Sequence, residues 1–83
     1  MNYSIYDSCQ EKLDFINSFC TKIGIKYEFD IVYKKIWGVY EYALTQKLYD
    51  ECVVFSCRDI YGFDNMLHAF CQALRICAFS CLD

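Results

Sequence analysis

Eighty-three residues with a formal net charge of −3, 57% apolar side chains and no proline make one small folded domain, residues 1–83, because disordered chains are poor in aromatics and rich in charge. Lys34-Lys35 is the one basic cluster, which argues against direct nucleic-acid binding, since phosphate backbones demand a basic face. Three glycines, at 24, 38 and 62, build no Gly-rich phosphate loop.

The chain carries seven cysteines, an odd number. Its start, Met-Asn-Tyr-Ser-Ile-Tyr-Asp, has no basic segment followed by an apolar run, so no secretory signal is expected. No run reaches the roughly 18 apolar residues of a membrane span. These features predict a cytoplasmic protein with free thiols, in which cysteine acts as a small hydrophobe. A chain this short buries only about 60–65% of its unfolded surface. Eight Tyr, seven Phe and one Trp therefore matter doubly, because aromatics dominate core and interface energetics.

Residues 1–6 form a short lead whose Tyr3 and Tyr6 can pack back on the fold. Ser8-Cys9-Gln10-Glu11 has the form of a capping box, with Asp7 adding charge at the positive end of the helix dipole. Cys9, Leu13, Ile16, Phe19 or Cys20, and Ile23 follow at helical spacing, which predicts an amphipathic helix over about 8–23. Gly24 stops it, since glycine accepts the left-handed conformation.

The period then switches to two. Ile25, Tyr27, Phe29, Ile31 and Tyr33 share one face of a strand, and Lys26, Glu28, Asp30 and Lys34 take the other. Lys34-Lys35 is placed to turn it. Ile36 to Thr45 reads as a second strand with two largely apolar faces, because Trp, Val and Tyr favour pleated surfaces; a helix aligning Ile36, Tyr40, Ala43, Leu44 and Leu48 is the alternative. Cys52 to Cys57 is a β-branched and aromatic run, a third strand. Asp64 is placed to cap a helix over 64–82, in which Met66, Leu67, Phe70, Cys71, Leu74, Cys77, Ala78 and Cys81 recur at helical spacing. The expected fold is α+β: a three-stranded antiparallel sheet with an N-terminal and a C-terminal helix, in the order α-β-β-β-α. With both helices on one face, the other face of the sheet is expected to show aromatic side chains.

No catalytic or cofactor motif is legible, and no cofactor is expected. The cysteines form no Cys-x-x-Cys knuckle of the kind tetrahedral zinc sites use. Cys71, Cys77, Cys81 and His68 share the last helix and are the only candidates for a metal- or thiol-dependent site; the alternative is that these thiols simply pack. Asp59 and Asp64, and Asp50-Glu51, suit caps and turns better than acid–base chemistry. The aromatic set is more informative. Tyr and Trp are the side chains that most often anchor interfaces. Trp37, Tyr40, Tyr42 and Tyr49, with Lys34, Lys35 and Glu41 as a charged rim, are the expected contact with a protein partner. In helix 64–82 the polar residues His68, Gln72 and Arg75 form only a narrow stripe. The apolar circumference beside it predicts a homodimer, using His68, Gln72, Arg75, Ile76 and Phe79.

An acidic chain of about eighty residues, with a capped helix, a short antiparallel sheet and an apolar second helix, resembles the small inhibitors encoded by phages and mobile elements, anti-CRISPR proteins among them. The resemblance implies function by occlusion: binding a host effector and blocking its nucleic-acid channel, active site or assembly. The expected function is thus that of a non-enzymatic module that masks a surface on a protein partner. A subunit of an obligate assembly is the third possibility.

Overall fold

The computed structural model describes residues 3–80, with side chains through Ile76. The chain runs α1 (Ile5–Lys22), β1 (Glu28–Ile36), β2 (Val39–Lys47), β3 (Glu51–Cys57) and α2 (Ile60–Ser80). The strands form one antiparallel sheet in the order β1-β2-β3. This is the predicted α-β-β-β-α fold, and Val39–Lys47 is a strand rather than a helix.

The first helix starts a turn earlier than the Ser8 motif predicts. Ser4 is the N-cap: its Oγ accepts the Asp7 N–H at 3.2 Å, and the Asp7 carboxylate accepts the Ser4 N–H at 3.0 Å. The Ser4 N–H and then the Ser4 hydroxyl, which also donates to the Asp7 carboxylate at 3.0 Å, hold the Asp7 carboxyl below its ordinary range. Ser8 is buried inside the helix instead, and Glu11 accepts the Tyr3 hydroxyl at 2.7 Å. Cys9, Leu13, Ile16 and Cys20 form the buried stripe, and the helix closes where Gly24 was expected to close it. Gly24 sits at φ 78. The Ile25 N–H reaches the Cys20 carbonyl at 2.9 Å and the Gly24 N–H the Thr21 carbonyl at 3.2 Å, a Schellman motif that satisfies two orphan carbonyls.

β1 and β2 are joined by Trp37-Gly38, not by Lys34-Lys35, which lie within β1. Both turn residues have positive φ, 52 for Trp37 and 85 for Gly38, as a type I′ hairpin turn requires. β1 begins at Glu28, so Ile25 and Tyr27 precede it and are exposed. Its start is held by α1, since the Asn17 amide accepts the Phe29 N–H at 3.0 Å and donates to the Phe29 carbonyl at 3.1 Å.

α1 packs on β1 and α2, and α2 packs on β2 and β3. The core between the two layers comprises Cys9, Leu13, Ile16 and Cys20 from α1, Phe29 and Leu44 from the sheet, and Phe63, Leu67 and Cys71 from α2. Phe63 lies against Tyr42 and Phe55, and Phe70 against Phe29 and Phe55. α2 begins before Asp64: the Asp59 carboxylate accepts the Gly62 N–H at 2.8 Å and so provides the cap.

The second face of the sheet is not the aromatic surface expected. Alternation along the strands places Val32, Ala43, Thr45 and Ser56 there, and Ala43 and Thr45 are 0% and 2% exposed. Lys34 Nζ lies 3.5 Å from Glu51 Oε1 across this face. Their β2 neighbours, Glu41 and Lys47, are roughly 20 Å apart at about 3.3 Å per residue. Twist brings those diagonal corners together, and the face curls over its small residues.

Candidate protein-binding surface

Four of the exposed aromatics, Tyr6, Tyr33, Trp37 and Tyr40, gather with Tyr42 at the hairpin end of the molecule. Trp37 stands at the hairpin tip and is 98% exposed. A non-glycine residue at positive φ is uncommon, and the left-handed region costs an L-residue about 1–2 kcal/mol. Neither packing nor backbone preference accounts for tryptophan at this position. Tyr33 and Tyr42 face each other across β1 and β2 with ring centroids 4.6 Å apart. Tyr40 stacks on Tyr33 at 5.4 Å and 21°. Tyr6 extends the group from α1, its hydroxyl 3.2 Å from that of Tyr42. Together with Ile31 and Ile60, Tyr6, Tyr33 and Tyr42 line a cleft of about 250 Å³. The hydrogen bond to Tyr6, then desolvation and neighbouring negative groups, push the Tyr42 phenol up to about 12. The Tyr42 hydroxyl therefore stays neutral around pH 7 and offers a hydrogen bond, not charge.

The seven residues expected at a partner contact do not stay together. Trp37, Tyr40 and Tyr42 share the aromatic end, and Lys35 lies opposite Tyr40 on the same side of the hairpin. Lys34 and Glu41 point to the other face, where Glu41 accepts the Ser56 hydroxyl at 3.3 Å. Tyr49 is exposed in the β2–β3 turn. The 9 residues of β2, at about 3.3 Å each, put it roughly 30 Å from Trp37. Tyr33 and Tyr6 are the members that sequence reasoning left out. The period-two pattern of β1 contained the signal for Tyr33; nothing local marks Tyr6, whose place follows from the early start of α1.

On α2, His68, Gln72, Arg75 and Ile76 are exposed. They are already partly engaged within the chain: His68 Nε2 lies 3.5 Å from Gln72 Nε2, and the Arg75 guanidinium stands 4.7 Å over the Phe15 ring. The Phe79 side chain lies outside the described residues, as do those of Cys77 and Cys81. Cys71 is buried beside the Lys12 carbonyl, with Sγ at 3.7 Å. Burial pushes its thiol up, away from the thiolate that nucleophilic or metal chemistry uses. Burial does the same to Cys20, and burial with the adjacent Asp64 charge raises Cys9 to about 11.

Among the described residues, no three or more His, Cys, Asp or Glu side chains are grouped to hold a metal ion. No described helix is long and apolar enough to cross a membrane. No family model matches this chain, and neither a curated protein nor a solved structure is significantly similar to it.

Proposed function

We propose that this protein is a non-enzymatic binding module that masks a surface on a protein partner, with the aromatic end as its contact. Trp37 carries the reading: it is almost fully exposed on a left-handed backbone that disfavours it, and unfavourable conformations persist where function needs them. Tyr40, Tyr33, Tyr42 and Tyr6 lie at the same end of the molecule and add rigid rings with hydroxyls able to hydrogen-bond, the chemistry of interface anchors. The mode of action we assign is occlusion, as in the anti-CRISPR-type inhibitors the chain resembles, in a reducing compartment that keeps the thiols free.

Affinity capture with wild type and Trp37→Ala side by side tests this. The expected result is a partner retained by the wild type, lost by Trp37→Ala and by Tyr40→Ala, with the circular dichroism of both variants unchanged. A partner retained equally by all three overturns the assignment. Since Trp37 is the sole tryptophan, its emission shifts to the blue when that partner covers it.

A further inference from the structure

The fold treats the two edges of its sheet differently. On β1 the outward groups of Phe29 are both taken by the Asn17 amide, and the Ile31 N–H is taken by the Asp30 carboxylate at 2.8 Å. β3 has no such capping bonds: among the described residues, no side chain or turn bonds to the backbone of Glu51–Cys57 on its outer side, and its one protection is a bulge at Val54. Its residues Glu51 to Val54 are exposed. It carries no lysine and no proline, two of the residues that protect natural edges. Its bulge, opposite Leu44/Thr45, leaves consecutive valines in solvent, Val53 at 44% and Val54 at 39% exposure.

The charges along this strand are self-complementary. Asp50 stands just before its start and Arg58 just beyond its end, both exposed, with Glu-Cys-Val-Val-Phe-Ser-Cys between them. Glu51 is paired with Lys34 within the chain, and Asp59, beside Arg58, is engaged as the α2 cap. We infer that β3 pairs antiparallel with β3 of a second copy, about a two-fold axis at Val54, making one continuous sheet from two. With Val54 opposite itself, Asp50 meets Arg58 of the second copy at both ends. Parallel pairing in register would instead set like charges side by side. The pairing supplies hydrogen bonds for an otherwise open edge and covers both valines. It places self-association on the sheet rather than on the α2 stripe, and it is independent of what Trp37 contacts.

Sedimentation velocity of the full chain in reductant, over a concentration series, tests this. The expected result is a reversible dimer. Arg58→Glu weakens it about tenfold, by turning two exposed ion pairs into repulsions, and the double variant Asp50→Lys/Arg58→Glu restores it. Val54→Lys, which sets two ammonium groups at the axis, leaves a monomer, while Ile76→Glu and Trp37→Ala leave the dimer unchanged. A monomer at every concentration overturns the inference. So does a dimer that survives Arg58→Glu and Val54→Lys but is lost in Ile76→Glu.

Discussion

The Lys12 ammonium of α1 lies 3.0 Å from the Asp64 carboxylate of α2, with side chains only 21% and 16% exposed. Ser8 completes the group: its hydroxyl donates to the same carboxylate oxygen at 2.9 Å and accepts from Lys12 at 2.6 Å. Cys9 Sγ approaches that oxygen at 3.5 Å. Two residues that look like helix caps, Ser8 and Asp64, thus form a polar clamp between the helices. Helix–helix packing satisfies them, and the capping falls to Ser4 and Asp59.

This clamp makes stability sensitive to acid. Burial works to raise the Asp64 carboxyl, but hydrogen bonds from Lys12, Ser8 and Cys9 and the Lys12 charge outweigh it, so its folded pKa lies below the ordinary value. The unfolded chain, with an aspartate pKa of about 3.9, therefore takes up the proton first as pH falls. The clamp's contribution is complete above about pH 5 and is lost as pH drops through the lower folded value. Asp64→Asn is expected to cost roughly 1–2 kcal/mol at pH 7, with partial exposure of the group counted. It should also flatten the acid limb, as urea unfolding at pH 7 and pH 3 will measure. Part of the limb remains, because Asp7 is shifted in the same direction.

Trp37→Asn should separate stability from function. Asn-Gly is a preferred pair for a type I′ turn, and asparagine tolerates the left-handed region that Trp37 occupies at φ 52. The variant is expected to gain about 1 kcal/mol in chemical denaturation and to lose the partner that wild type retains. A loss of stability would mean that the indole contributes to the fold.

Asn17 is expected to be worth more than a polar side chain on a helix surface usually is. Asn17→Ala leaves the part-buried N–H and carbonyl of Phe29 without the two bonds they now make. The expected cost is about 1–3 kcal/mol, read by thermal unfolding. Because the same change reopens the β1 edge, light scattering should rise with concentration more steeply than for wild type. Asn17→Asp keeps the acceptor but not the donor and should fall between the two.

Cysteine labelling separates the packing role of the thiols from a reactive one. Cys52 is exposed, while Cys9, Cys20 and Cys71 are buried and carry raised pKa values. Time-resolved alkylation at pH 7.5, followed by peptide mapping, should modify Cys52 before Cys9, Cys20 and Cys71. The three buried thiols should react only at the rate of opening of the core. Labelling of Cys71 as fast as Cys52 would restore the thiol-dependent reading of α2.

Local chemistry made the order of elements legible in the sequence. The helical spacing of Cys9, Leu13, Ile16 and Cys20, the stop at Gly24, the alternation around Phe29 to Tyr33 and the β-branched run at Val53-Val54 each depend on residues close in the chain. What depended on distant residues was read less well. Ser8 and Asp64 each have the form of a cap, and only the meeting of α1 with α2 shows that they bind Lys12 and each other instead. Trp37 reads as a strand residue, since large aromatics favour pleated surfaces; the pairing of Ile36 with Val39 forces it into the turn. The seven residues of the expected contact look like one cluster along the chain. Strand alternation sends Lys34 and Glu41 to the far face, and the length of β2 carries Tyr49 to the other end. Tyr6, by contrast, joins Tyr42 from thirty-six positions away. Sequence spacing alone therefore determined the order of the elements and the buried stripe of α1. The composition of the surface was decided by register, twist and helix packing, which are set by contacts between residues far apart in the chain.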